Sequence, residues 1–273
     1  MIDFPVHPLT KTLIERSSAH APQALLLRGE RGVGLEQIAR AIAEKNLLTV
    51  VEPNDVNGVS SRAGTIAIET IRGLYDRTKV KQTKPVFVII ADADRMSHGA
   101  QNAFLKLLEE PASYVHFLLT STAPQHLLPT IISRVQQHSI RPIDSQQTQA
   151  LISELTDDSK KQAQLQFIAQ GLPSELLRLA HDETYFATRA SDMARARTFL
   201  QGTSYEKISL IQALKTDREA AQQLMSDCVR ILRHTLQRSA SSDAIRQLED
   251  CVAASENIAK NYHVGLQLTR FVL

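Results

Sequence analysis

The chain has 273 residues, 43% of them hydrophobic, enough to bury more than one core, and its formal net charge of +2 neither announces nor excludes a polyanion-binding surface. Its two cysteines, Cys228 and Cys251, exclude a disulfide framework and a four-cysteine zinc site built from this chain alone, and they read as small core residues. No apolar run has the length of a membrane span and the start, Met1-Ile2-Asp3-Phe4-Pro5, lacks a signal-peptide pattern, so a soluble, cytoplasmic protein is expected.

The first half alternates strands with helices. Ala24-Leu25-Leu26-Leu27 reads as a buried strand, and a helix is expected from Gln37 to Glu44. Between them lies the turn Gly29-Glu30-Arg31-Gly32-Val33-Gly34. Further strands are expected at 47–51, 86–91, 115–121 and near 137–141, as apolar runs that suit parallel strands covered on both faces. Helical periodicity marks 66–79 and 97–110, and the turn-rich stretch 52–64 reads as a loop. These elements predict a three-layer α/β domain over residues 1–143.

After Arg141-Pro142-Ile143 the pattern is helical throughout. Capping residues open expected helices at 146–155, 160–169 and 173–181, a small three-helix domain spanning 144–186. A second helical domain is expected over 187–273, with breaks at 202–204, near 216–217 and at 239–242. Its helix over 218–238 carries Ala221, Leu224, Met225, Cys228, Ile231, Leu232 and Thr235 as one core stripe.

Strand, glycine turn and helix are the setting of a phosphate-cradling P-loop. A working P-loop continues from its last glycine with Lys, a cation for the outer phosphates, and with Ser or Thr, whose hydroxyl ligates Mg²⁺. Here Leu35 carries no charge and Glu36 repels phosphate. A second element of such sites is a buried strand ending in Asp-Glu, for metal binding and for polarising water. Val86-Phe87-Val88-Ile89-Ile90 ends instead in Ala91 and Asp92. Two elements lack their catalytic groups together, so Gly29, Gly32, Gly34, Leu35 and Glu36 read as a vestigial P-loop and Ala91-Asp92 as its vestigial partner.

Asn102-Ala103-Phe104-Leu105-Lys106-Leu107-Leu108-Glu109-Glu110-Pro111 resembles the Asn-Ala-Leu-Leu-Lys-x-Leu-Glu-Glu-Pro signature of bacterial DNA polymerase III clamp-loader AAA+ subunits. The resemblance continues through His116-Phe117-Leu118-Leu119-Thr120-Ser121-Thr122-Ala123-Pro124 and Leu127-Leu128-Pro129-Thr130-Ile131-Ile132-Ser133-Arg134. The motor subunits of that family keep an intact P-loop, a metal-binding Asp-Glu and a four-cysteine zinc module. The present chain keeps none of these; delta-prime members also commonly carry a zinc module after the first helix, and segment 45–65 here is too short for it and free of Cys. A degenerate turn with a retained Ser133-Arg134, Val135 replacing the family's Cys, is similar to the delta-prime kind.

The resemblance implies a noncatalytic subunit without cofactor or metal. Arg134 would be an arginine finger for ATP held by an adjacent motor (gamma/tau) subunit, with Ser133 orienting the turn. Gamma/tau and delta subunits would be its partners in a hetero-oligomer that loads a sliding clamp onto primer-template DNA. Residues 187–273 would form part of an oligomeric collar, and Ser97, His98 and Asn102 would face the DNA channel. Plainer readings stand beside these: Arg134 as a surface arginine paired with a carboxylate, Ser97 as an N-cap, Ser121 or Thr122 as strand-end hydrogen-bonders rather than a sensor, and Arg178 as a packing residue. Two other functions remain open, a weakly active AAA+ ATPase and a clamp-opening delta-like subunit using loop 52–64 as an exposed apolar tip.

Overall fold

The computed structural model describes residues 5–54, 64–79, 83–238 and 241–272, and divides the chain into two units, Met1–His181 and Asp182–Leu273. Most of the expected loop 52–64 lies outside the described residues, and with it any apolar tip there.

Five strands form the sheet of the first unit: β1 (Ala24–Arg28), β2 (Leu47–Val51), β3 (Val86–Ile90), β4 (Val115–Ser121) and β5 (Gln136–Ser139). They lie in the order β2-β3-β4-β1-β5, and every pairing is parallel. From β1 the chain crosses to the far edge, builds back through β3 and β4, and then passes over β1 to β5. That reversal places a crevice beyond the carboxyl ends of the central strands, where open α/β sheets bind ligands.

Period-2 alternation sends apolar side chains to both faces. Leu25, Leu27, Phe87, Ile89 and Leu118 pack on one side with α1 (Pro8–Ala19) and α2 (Leu35–Ala43). Leu26, Val88, Ile90, Phe117 and Leu119 pack on the other, under α3 (Ile68–Lys79), α4 (His98–Glu109) and α5 (Pro129–Ile132). Phe104 of α4 meets Phe117 edge-on, with ring centroids 5.2 Å apart. α1 is not among the elements expected from the sequence; it buries only Thr10, Leu13 and Ser17, so its inward stripe shows one large apolar residue. α2 starts at Leu35 rather than Gln37 because Gly34 itself is the N-cap. β5 departs from the expected apolar run: it is Gln136-Gln137-His138-Ser139 at the sheet edge, where polar side chains discourage further pairing.

Three helices complete this unit, each within a residue of the expected span: α6 (Ser145–Leu155), α7 (Ser159–Ala169) and α8 (Pro173–His181). α6 opens with a capping box between Asp144 and Gln147, and Asp158 caps α7.

The second unit holds α9 (Glu183–Gln201), α10 (Ser204–Leu214), α11 (Arg218–Arg238), α12 (Ser242–Ala259) and α13 (Val264–Thr269). α9 begins at Glu183, ahead of the expected start of this domain at 187. The α11 stripe from Ala221 to Leu232 is buried, but Thr235 is exposed and bonds its own helix at the Ile231 carbonyl, 3.0 Å away. Arg189 of α9 and Asp227 of α11, both buried, form a two-pronged pair at 2.9 and 2.7 Å. Burial alone would lower the Arg189 pKa; the hydrogen bonds and charge of Asp227 overcome it and raise it. Cys228 and Cys251 are fully buried, and their mutual hydrogen bond, with burial, pushes the Cys228 thiol pKa far up. No helix among the described residues is long and apolar enough to cross a membrane.

Candidate functional site

The glycine turn leaves the carboxyl end of β1 where the crevice is expected. Gly29 donates its amide to the Ser121 carbonyl at 3.3 Å, and Ile140 donates to the Arg28 carbonyl at 2.8 Å. Gly32 (φ 94°) and Gly34 (φ 93°) are left-handed, a conformation that glycine adopts without strain. The space the turn encloses is filled from within the chain. Val33 and Leu35 are buried and share one core cluster with Ile38, Ile140 and Leu172. A Cβ at Gly29 would stand 3.4 Å from the Leu35 side chain.

The turn is also covered. Glu175, in the first turn of α8, donates its amide to the Gly32 carbonyl at 3.1 Å, and Gln37 Nε2 reaches Ser174 Oγ at 3.3 Å. A Cβ on Gly32 would lie 2.8 Å from Glu175 Cβ. Leu35 therefore stands in the place of a phosphate-binding lysine as a core residue, in one cluster with Leu172. Glu36 is turned to Arg40, 2.7 Å away. Neither side chain offers what a Mg²⁺-nucleotide needs.

Beyond β3, Ala91 is buried and presents only a methyl group. Asp92 is left-handed (φ 46°), and its amide donates to Thr120 Oγ1 at 3.0 Å. Burial and the neighbouring Asp94 raise the Asp92 pKa, Arg31 and Arg95 oppose the rise, and Glu36 adds to it. Gly29 and Asp92 both bond to the end of β4, at Ser121 and Thr120, so the turn and the β3 end flank one strand end. Thr120, which the sequence did not single out, is the hydroxyl that ties the two strand ends together. Ser121, the sensor candidate, is buried with its hydroxyl accepting from the Ala123 amide at 3.1 Å, while Thr122 is exposed. Arg178 is half-buried in α8.

Arg134 lies at the other end of the sheet. The register pairs Leu25 with Gln136 and Arg28 with Ser139, so β5 runs from the Arg134 side toward the glycine turn. Gln136–Ser139, about 13 Å of strand, separate the Arg134 turn from the end of β1 where the glycine turn leaves. Arg134 Nη2 lies 3.0 Å from Glu109 Oε1, and Nη1 donates to the Thr130 carbonyl at 3.1 Å. Ser133 Oγ donates to the same carbonyl at 3.1 Å and so braces the turn. The ion pair is exposed, at 41% and 52% of the two side chains, a setting worth about 0–1 kcal/mol to stability.

Gln101 supports this rim and was not foreseen. It is a buried polar residue inside α4; its Oε1 accepts from the Leu128 amide at 2.7 Å, and its Nε2 donates to the carbonyls of Met96 and His126 at 3.2 and 3.1 Å. It thereby fixes the path into α5. The only sequence signal was a glutamine on an apolar helical face. At the start of α4, Ser97 is the N-cap, accepting from the Ala100 amide at 3.1 Å. His98 and Asn102 are exposed one helical turn apart, with Asn102 Nδ2 3.0 Å from His98 Nδ1. A cavity of about 370 Å³ between β2 and α3, lined by Glu52, Glu69 and Arg77 among others, brings none of these residues together.

A parallel sheet covered on both faces, a glycine turn after β1 and a helical bundle over that turn define an AAA+ fold. A DNA polymerase III gamma subunit-related protein from Thermotoga maritima shares it, with a TM-score of 0.54 at 20% identity, covering 96% of this chain and 97% of that one. The RuvB Holliday junction branch migration motor of the same organism matches with a TM-score of 0.51 at 11% identity over 72% and 76% of the two chains. Residues 46–144 match the family described as DNA polymerase III, delta subunit. The DNA polymerase III subunit tau/gamma of Haemophilus influenzae is 32% identical over 50% of this chain and 23% of its own length. The delta' subunit of Bacillus subtilis is 30% identical over 45% of this chain and 37% of its own length. The chain thus spans less than half of these curated relatives. Its matched part is similar in sequence to the tau/gamma and delta' subunits of DNA polymerase III.

Proposed function

We propose that the chain is a noncatalytic clamp-loader subunit of the delta-prime kind. It scaffolds an ATP-dependent loader of DNA polymerase III and lends Arg134 to the ATP site of a neighbouring subunit. Its partners are the motor (gamma/tau) and delta subunits, in a cytoplasmic hetero-oligomer that sets a sliding clamp on primer-template DNA. In this reading residues 1–143 are the AAA+ core, 144–186 its lid and 187–273 the collar segment. The start of α4, with Ser97, His98 and Asn102, is the part we assign to the DNA side.

One observation carries the reading: the cradle at one end of the sheet is filled by Leu35 and covered by Glu175, while an exposed guanidinium stands at the other end. A planar guanidinium is suited to stabilising charge on a phosphoryl group in transfer. Standing at the opposite end of β5 from its own turn, Arg134 suits a nucleotide held by another chain rather than one in its own cradle.

The matches to tau and gamma subunits favour a second reading, in which the chain itself hydrolyses ATP weakly. Isothermal titration of the isolated chain with ATP and Mg²⁺ separates the two. The scaffold reading expects no binding heat and no turnover; micromolar binding with hydrolysis sinks it. In the assembled loader, Arg134→Ala is expected to leave assembly intact and slow DNA-stimulated hydrolysis, and an unchanged rate removes the arginine finger.

A further inference from the structure

We infer that Glu109 is the positioning residue for Arg134, presenting its guanidinium to the neighbouring subunit's nucleotide. This rests on the arginine-finger reading above and adds a second residue to it.

Glu109 does little for its own helix. It ends α4, followed by Glu110, where the helix dipole disfavours negative charge. It does little for the fold, since the pair with Arg134 is exposed on both sides. Its geometric effect is larger. An arginine side chain has many rotamers, and a group that acts on a reaction in another chain must be held near its working orientation. Glu109 Oε1 holds Nη2 at 3.0 Å, and the Thr130 carbonyl holds Nη1 at 3.1 Å. The two anchors come from different helices, α4 and α5, which Gln101 ties together through the Leu128 amide. The helix that carries the α4 anchor is fixed in place, because Phe104 and Leu107 of α4 are in the core. Together the anchors engage two of the five guanidinium N–H donors, leaving three for phosphate oxygens.

The test is steady-state, DNA-stimulated ATP hydrolysis by the loader assembled with the ATP-hydrolysing subunits of its own host. It compares wild type, Glu109→Gln, Arg134→Ala and the double variant. Glu109→Gln is expected to lower kcat about three- to tenfold with KM for ATP unchanged, and to leave the melting temperature of the chain unchanged. In the Arg134→Ala background it is expected to add no further loss, because the side chain it positions is gone. If Arg134→Ala slows hydrolysis but Glu109→Gln runs at the wild-type rate or faster, Glu109 has no positioning role and the finger survives without it. A further loss in the double variant also overturns the inference, since Glu109 then acts elsewhere. Normal hydrolysis by Arg134→Ala overturns the finger itself and Glu109 with it.

Discussion

The main-chain amide of Glu175 donates to the carbonyl of Gly32 at 3.1 Å, which bonds the first turn of α8 to the glycine turn it covers. In a nucleotide site the amides of such a turn point at phosphates. Here the turn has become a joint between the α/β core and the small helical bundle, and its residues answer to packing.

Gly32→Ala tests the joint. The new methyl group would meet Glu175 Cβ at 2.8 Å, on a backbone held at φ 94°. A loss of about 1–3 kcal/mol is expected, read as a melting temperature lower by several degrees. An unchanged melting temperature would mean that α8 does not rest on the turn.

Restoring the P-loop letters is expected to be harmful. Leu35→Lys with Glu36→Thr puts an ammonium into the apolar cluster of Val33, Ile38 and Leu172 and forfeits the burial of Leu35, about 1.5–3 kcal/mol. No ATP turnover is expected, since Ala91 still offers no ligand. Thermal melting and a phosphate-release assay read the two outcomes; turnover would show that the β3 end matters less than its chemistry implies.

Asp92 makes stability depend on pH. Its pKa is raised by burial and by Asp94, so the folded chain resists its ionisation. A carboxyl raised in this way contributes stability that is fully present below its unfolded value, about 3.9, and lost as pH rises through the folded value. Asp92→Asn cannot ionise and suits the left-handed backbone at φ 46°. It is expected to melt above wild type at pH 7, with the difference narrowing as pH falls toward 4. A difference that widens on acidification contradicts the assignment.

The second unit has its own sensitive point. Asp227→Ala takes from buried Arg189 its two-pronged partner and leaves it facing Asp192, 3.0 Å away. Removing one member of a buried pair costs about 3–5 kcal/mol, whereas replacing both members by apolar residues is often neutral. Denaturant titration should show the single variant strongly destabilised, and Arg189→Met with Asp227→Leu restored to near wild type. Equal stability of the single variant and wild type would show that the pair is not buried in solution.

The sequence was most legible where chemistry depends on single letters. Leu35, Glu36 and Ala91 announce missing groups whatever surrounds them, and the bounds of α6 to α8 follow from caps such as Asp144 and Asp158. It was least legible where a residue's meaning lies in a distant partner. Leu35 reads as an absent lysine, and only the fold shows it beneath Leu172. Gln101 and Thr120 read as ordinary polar letters until their hydrogen bonds join separate segments. Arg189 and Asp227 sit in polar-rich helices where a charged residue normally means solvent, and no local pattern reveals that they are buried together.

Because β1 and β5 run parallel, the glycine turn and Arg134 belong to opposite ends of one sheet. Repeated head to tail, such a unit is a link with a socket at one end and a plug at the other, and a row of links grows for as long as sockets are open. Leu35 and Glu175 stopper the socket here, while the plug stays at the surface, held by Glu109. On the proposed function, a row that includes this chain would acquire a terminus, a direction, and fewer working sites than members.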